Sequence, residues 1–449
     1  MADRSGPYRR DFNSTNYIHP NEENLFNLHK AMDYNDLGQP ILRVSGGYAV
    51  ATGTGGSDAF GRLKVAQPQT LFESQHRYDE NDKFYTDTSG SGTTGYNVNS
   101  SSVDMTVTTA SGDSVVRETK RVFPYQPGKA LEIYNTFTMA PAQTGLRQRV
   151  GYFGTENGVY LEKSNDTLYW VLRTKTTGTV TETRVPQSQW NADRLDGSGL
   201  TGYLNASGIT LDTTKALIQY IDIEWLGVGT VRCGFIINGA FIIAHKFHHS
   251  NIGDSTYMTT AALPVRYEIE NTGATASGAS LEHICNSIIS SGGFTPRGIQ
   301  HVAGRELTYY TASTAGTYYH LVSLRLDSDR LDDIAIPTDV SVLTDSNANL
   351  QFKLVSGATF ATPLVWTNGT NSVETSVTDS AVTDQGSVLA TRYIVNKGES
   401  RGFTREELEV LQLERDHNGA VVLSLIATAG SNNTTMTGNL GWIEPLRGT

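Results

Sequence analysis

The chain has 449 residues, of which 44 are glycine, 18% are charged and 38% are hydrophobic. Charge this far below the usual ~25%, with Thr, Ser and Asn making up much of the rest, argues against a coiled coil or a helix-rich enzyme, while the apolar share argues against disorder. The net charge of -11 speaks against a broad nucleic-acid footprint, no apolar run approaches the roughly 18 residues of a membrane span, and the first residues lack the apolar stretch of a secretory signal.

In chain order, residues 1–58 read as an extended N-terminal arm. Leu25, Phe26, Leu28, His29 and Met32 recur at spacings of three and four, which predicts a short helix over 22–32. A helix of about three turns is marginal in water and needs a surface to lie on. That surface is either its own domain or a neighbouring protein. Pro20, Pro40 and the Gly-rich GTGGSD at 53–58 surround it, so the segment is taken as a docking arm on a flexible joint. Leu25, Phe26, Leu28 and Met32 are its expected docking residues.

Residues 59–298 predict a β-sandwich core domain. ALIQYIDIEW (216–225) alternates, with Leu217, Gln219, Ile221, Ile223 and Trp225 on one side and Ile218, Tyr220, Asp222 and Glu224 on the other. TVRCGFII and AFIIAHKF flank Asn238-Gly239, the strongest short-range hairpin signal, because both turn positions need positive φ. LYWVLRT (168–174) and TVTETRV (179–185) predict another hairpin, with YLEK (160–163) as a neighbour. Short strands with turns about every eight to twelve residues favour a sandwich or jelly roll, and no run of helices is available to cover a parallel sheet.

Residues 299–449 predict a second β domain, with strands in YYHLVSLRL (318–326), VSVLT (340–344), LQFKLV (350–355), RYIV (392–395), VLQLERD (410–416), AVVLSLIAT (420–428) and GWIEP (441–445). Thr404 and Glu407 match a helix capping box, but Asn418-Gly419 between two alternating runs favours a hairpin with at most one helical turn before it. The fold class is therefore all-β: an antiparallel sandwich or jelly-roll-like core, a second β-sandwich domain and an N-terminal arm.

Residues that could carry chemistry are few. His245, His248 and His249 form H-x-x-H-H, but positions i and i+3 of a strand face opposite ways and no carboxylate or cysteine stands close in sequence to complete a metal site. Asp222 with Glu224, and Glu268 with Glu270, share strand faces as a glycosidase pair would, yet Arg232 and Arg266 stand ready as cross-strand ion-pair partners. DSDRLDD (327–333) is oxygen-rich but lacks the glycine and terminal glutamate of an EF-hand loop. Arg117, Arg121, Tyr125, Arg147 and Arg149 group arginine with aromatics, the composition of a protein–protein interface. No catalytic residue, metal or cofactor is expected, and no nucleic-acid partner.

Several longer segments are more specific than any of these. They are AFGRLKVAQPQTLFESQHRY (59–78), SVVRETKRVFPYQPGKALEIYNTF (114–137), LRQRVGYFGTENGVYLE (146–162), VPQSQWNADRLDGSG (185–199), IDIEWLGVGTVRCGFIINGAF (221–241) and YMTTAALPVRYEIENTG (257–273). Together they resemble the virion structural proteins of tailed marine phages, cyanobacterial phages in particular. The likeness is dense over 59–300, weaker over 410–445, and does not cover 1–58. It implies a non-enzymatic part of the virion, in tail, baseplate or fibre, assembled in the infected bacterial cytoplasm. The implied partners are other virion proteins and further copies of the chain. A reducing cytoplasm implies that Cys233 and Cys285 are thiols. Two alternatives remain open: a decoration or fibre of the head, and a spike that binds or degrades a host surface glycan. Exposed Trp170, Trp190 or Trp225 would favour the spike.

Overall fold

The computed structural model describes residues 67–198, 207–370, 372–395, 400–403, 408 and 411–445, together with five short strands before them. The chain divides into two compact units, Met1–Gln67 and Pro68–Thr449. In the first, Arg9–Asp11 pairs with Ser14–Tyr17, and Met32–Tyr34, Pro40–Val44 and Tyr48–Ala51 form a three-stranded antiparallel sheet. The helix expected over 22–32 falls, for residues 22–31, outside the described residues, as do Leu25, Phe26 and Leu28. Met32 opens a strand instead of closing a helix, paired with Leu42 of the next strand.

The second unit begins with fifteen strands over 68–291. They are β1 (Pro68–Gln75), β2 (Phe84–Ser89), β3 (Thr93–Asn97), β4 (Ser102–Val107), β5 (Ser114–Thr119), β6 (Ala130–Thr138), β7 (Leu146–Phe153) and β8 (Gly158–Ser164). There follow β9 (Thr167–Thr174), β10 (Thr181–Pro186), β11 (Leu217–Ile223), β12 (Val231–Ile237), β13 (Ala240–Phe247), β14 (Val265–Asn271) and β15 (Ala279–Ser291). Sheet A runs β10-β9-β8-β7-β14-β5-β2, and sheet B runs β13-β12-β11-β6-β15-β4-β3 with β1 also on β15. The pairings are antiparallel throughout.

Alternation decides which side of each strand is buried. On β6, Leu131, Ile133, Asn135 and Phe137 are buried while Glu132, Tyr134 and Thr136 between them are half-exposed. Sheet B contributes Ile133, Phe137, Ile221, Ile223 and Phe235 to one core, and sheet A contributes Val150, Tyr152, Leu161, Trp170, Tyr267 and Ile269 to the same core. Each such side chain stabilises the sandwich by about 1.5–3 kcal/mol through lost apolar surface. The β12–β13 hairpin turns at Asn238 and Gly239, with φ of 53° and 77°, as the Asn-Gly pair requires. The β9–β10 hairpin and its neighbour β8 also follow the pattern of the sequence.

Residues 299–444 form two further sheets. One runs Ile299–Gly304, Thr434–Glu444, Ile336–Leu343, Ser400–Phe403, with Tyr310–Ala312 also on Thr434–Glu444. The other runs Thr367–Asn368, Val373–Ser376, Tyr319–Leu326, Leu423–Ala429, Leu350–Ser356, Ser387–Ile394. Leu321, Leu324, Val340, Val342, Phe352, Leu425, Leu440 and Trp442 share their core. The Asn418-Gly419 turn makes a small hairpin, with Asp416 opposite Gly419 and Arg415 opposite Ala420. Residues 404–407, where the capping box lies, are outside the described residues. No helix among the described residues is long and apolar enough to cross a membrane.

The two β blocks of this unit are joined by that hairpin and a small apolar cluster. The Arg415 N–H donates to the Lys120 carbonyl (2.7 Å) and the Gln412 amide to the Val122 carbonyl (3.0 Å), while Lys83 pairs with Glu414 at 3.0 Å. Val122 and Ala262 pack with Ile334, Ile336 and Ile443.

Candidate functional site

Two outward faces of the sandwich carry the charged and aromatic residues that the sequence brings to notice. On sheet A the register aligns Glu162 (β8), Arg149 (β7) and Glu268 (β14) in one row, and Tyr160, Gly151, Arg266 and Glu118 in the next. Opposite residues lie about 4.5–5.5 Å apart, so acids and bases from four strands mesh. Arg149 Nε donates to Glu162 (2.7 Å) and its Nη1 to Glu268 (2.9 Å). Arg266 donates to Glu268 (3.1 Å) and Glu118 (2.8 Å), and Arg415, from the distant hairpin, reaches Glu118 at 2.5 Å. Arg184 closes the other end on Glu162. The result is an unbroken ionic run from the sandwich edge to the C-terminal block.

Burial alone would push the Glu268 carboxyl up, but Arg266, Arg149 and Arg147 more than offset it and hold it below the usual range. Burial would likewise lower Arg149, and Glu268 with Glu162 reverses that. Gly151 is what lets the lattice lie flat, because a Cβ there would stand 2.5 Å from the Val159 carbonyl oxygen and 2.6 Å from Tyr160 Cα. Both obstacles are backbone. Gly151→Ala is therefore expected to cost about 1–3 kcal/mol, read as a lower urea midpoint at unchanged slope.

The arginine-rich segments expected to form an interface are engaged largely within the chain, with Arg121 and Arg147 half-buried. Arg117, Tyr125 and Arg149 are buried within the chain. Arg117 pairs with Glu80, and Tyr125 stands edge-on to Trp225 at 5.7 Å with its hydroxyl accepting the Leu226 N–H. Arg121 lies over Phe72 and Phe123, and Arg147 pairs with Glu270 at 2.5 Å. These arginines are occupied by carboxylates and rings distant in sequence. They do not make an exposed patch.

The other candidates separate in space. The His245 Nδ1 accepts the Asn191 N–H, His248 Nδ1 lies 3.1 Å from the Thr230 hydroxyl, and His249 stacks on Tyr257 at 3.8 Å. Asp327 and Asp333 each accept a backbone N–H of their own turn. Among the described residues, no three His, Cys, Asp or Glu side chains converge as a metal site would need. Cys233 and Cys285 are free thiols, the first buried and the second half-buried. Asp329 and Asp332 line a cleft of about 370 Å³ between the blocks, where Glu118 already serves Arg266, Arg415 and the Tyr85 hydroxyl. Trp170 and Trp190 sit in the core and Trp225 is half-buried against it.

Sheet B carries an outward aromatic cluster in which Phe241 is exposed, Tyr134 half-buried and Tyr220 buried. Its register sets Glu132, Asp222, Arg232 and Lys246 in one row, Tyr134, Tyr220, Gly234 and Ile243 in the next, and Thr136, Ile218, Ile236 and Phe241 in the third. Ring centroids of Tyr134 and Tyr220 are 5.5 Å apart, and Phe241 meets Tyr220 edge-on at 5.1 Å. Phe241 is 57% exposed and Ile218 38%. The Tyr134 hydroxyl donates to Glu132 (2.6 Å), Ser291 donates to the other Glu132 oxygen (2.5 Å), and Arg232 pairs with Asp222. Burial, with the Glu132 charge adding to it, raises the Asp222 carboxyl against the pull of Arg232. Asp222 and Arg232 were legible from their spacing. Glu132 and Phe241 were not, because only the register brings four strands together.

No protein-family model matches the chain. No curated protein matches it either. Among solved structures, a protein of unknown function from Shewanella oneidensis MR-1 is similar at 10% identity, over 53% of this chain and 91% of that one, with a TM-score of 0.34. The CBM2 module of the evolved Dit of Lactobacillus casei BL23 phage J-1 is similar at 7% identity over 52% and 100%, TM-score 0.32. The Bacillus licheniformis β-glucanase is similar at 8% over 51% and 99%, TM-score 0.29. Likenesses this distant carry no functional weight.

Proposed function

We propose that this chain is a non-enzymatic structural subunit of a tailed-phage particle, placed in the tail, baseplate or fibre. The observation that supports this most is the ionic run from Arg184 to Arg415. Its acids and bases are spent on one another, so they are not poised for proton transfer, and they tie two β blocks into a stiff body suited to bearing load. The sequence likeness over 59–300 supports the same reading. Contacts with neighbouring virion proteins would then come from the unit before Pro68 and from exposed sheet edges, in place of the buried arginines.

The test is to purify particles from infected cells and locate the chain by mass spectrometry and electron microscopy with a specific antibody. Label at the tail or its distal structures is expected. Label spread over the capsid at hundreds of copies would favour a head decoration, and absence from purified particles would sink the structural reading altogether.

A further inference from the structure

We propose that the outer face of sheet B around Tyr134, Tyr220 and Phe241 is a saccharide site that takes a pyranose unit of a surface polysaccharide. The inference concerns the chemistry of one face and goes beyond the chain's place in a particle, so either can fail without the other.

The first argument is shape and polarity. Phe241 and Ile218 offer exposed apolar surface, and the Tyr134 and Tyr220 rings extend it inward. A pyranose has a comparable duality, with a flat C–H face and a rim of hydroxyls. Such a ring lies with one side on the exposed surface of Phe241 and Ile218 and leaves its rim toward the next strand row. Sites for small polar ligands are built in this way, with apolar walls and a few placed polar groups.

The second argument is the neighbouring row. Glu132, Asp222 and Arg232 stand directly opposite one another on three adjacent strands; Asp222 is buried and holds Arg232, which leaves Glu132 and Arg232 as the acceptor and donor a ligand can reach. A sugar hydroxyl both donates and accepts, so adjacent hydroxyls can donate to Glu132 and accept from Arg232, whose side chain is 53% exposed. Tyr134 donates its proton to Glu132, which leaves the phenol oxygen free to accept another. The polar groups are already fixed by Tyr134, Ser291 and each other, so little ordering is lost on binding.

The third argument excludes other occupants. An apolar protein surface laid over the row would strip water from Glu132 and Arg232 with nothing offered in return. A nucleic-acid backbone would place phosphate against Glu132 and Asp222. A neutral polyol suffers neither cost.

The experiment uses the full chain and a panel of maltohexaose, cellohexaose, laminarihexaose and purified bacterial lipopolysaccharide, read by isothermal titration and saturation-transfer NMR. Binding to at least one member is expected, weakened about tenfold or more by Phe241→Ala and by Glu132→Gln. Tyr393→Ala, which removes an exposed ring far off in sequence on another sheet, should leave it unchanged. Circular dichroism and unchanged melting confirm that each variant folds. No binding by any member overturns the proposal, and so does binding that survives both substitutions. A dimer that becomes monomeric with Phe241→Ala also overturns it, because the face would then belong to a second copy.

Discussion

Replacing Arg149 with Met is expected to lower the unfolding free energy of the 68–449 unit by about 3–5 kcal/mol. Arg149 is 6% exposed and its two carboxylate partners are equally sequestered, Glu162 at 0% and Glu268 at 7%. Removing the guanidinium leaves Glu162 with Arg184 and Glu268 with Arg266 as their remaining partners, and brings two like charges face to face across the vacated position in a poorly solvated layer. Neutralising the two acids together with the arginine removes that repulsion, while Arg184 stays partly solvated and Arg266 keeps Glu118. The triple change Arg149→Met, Glu162→Gln, Glu268→Gln should therefore recover most of the loss. Urea unfolding of the three proteins decides the matter. A single substitution costing under about 1 kcal/mol would mean that water reaches the row and that the pairs behave as ordinary surface bridges.

Acidification should destabilise the same unit well before most carboxylates titrate. His76, His245 and His320 are 0%, 5% and 0% exposed, and burial is the main cause that pulls each down to about 4. Burial, with His76 and Arg117 adding to it, also lowers His283 well below its usual range. A histidine whose folded pKa is below its unfolded value of about 6.5 binds a proton more readily once the chain unfolds. Its contribution is complete above about 6.5 and is lost as the pH falls toward 4. With each pKa unit worth about 1.4 kcal/mol, the sum over these residues is on the order of several kcal/mol. Asp222, raised by burial, works in the opposite sense and offsets part of this. Thermal unfolding from about pH 7.5 down to about pH 4.5 should show a steadily falling Tm. A Tm flat across that window would contradict the neutral, buried state of these imidazoles.

The strands of the sandwich were legible because their signals are local. The alternation of 216–225 and the Asn238-Gly239 turn each lie within ten or so residues, and the structure reproduces both. The charged faces were half legible. Arg232 is ten residues from Asp222 and was paired with it correctly, as was Arg266 with Glu268. Arg149 and its partner Glu268 are 119 residues apart, so the arginine read as an exposed anchor although it is a buried counter-ion. Periodicity tells which residues share a face of one strand. It does not tell which strand lies alongside, and both faces of this sandwich depend on that second fact.

The order of synthesis gives the Arg415 joint a further consequence. Its partner Glu118 leaves the ribosome 297 residues earlier, so that carboxylate waits over that length of chain for its last counter-ion. The sandwich must likewise wait for β15, since β1, β4 and β6 all pair with it. A nascent chain therefore folds as a sandwich first and acquires its locked, two-block form only as the final hairpin emerges. Rigidity arrives only once Arg415 has emerged, so a chain cut short of it carries the sandwich without the joint.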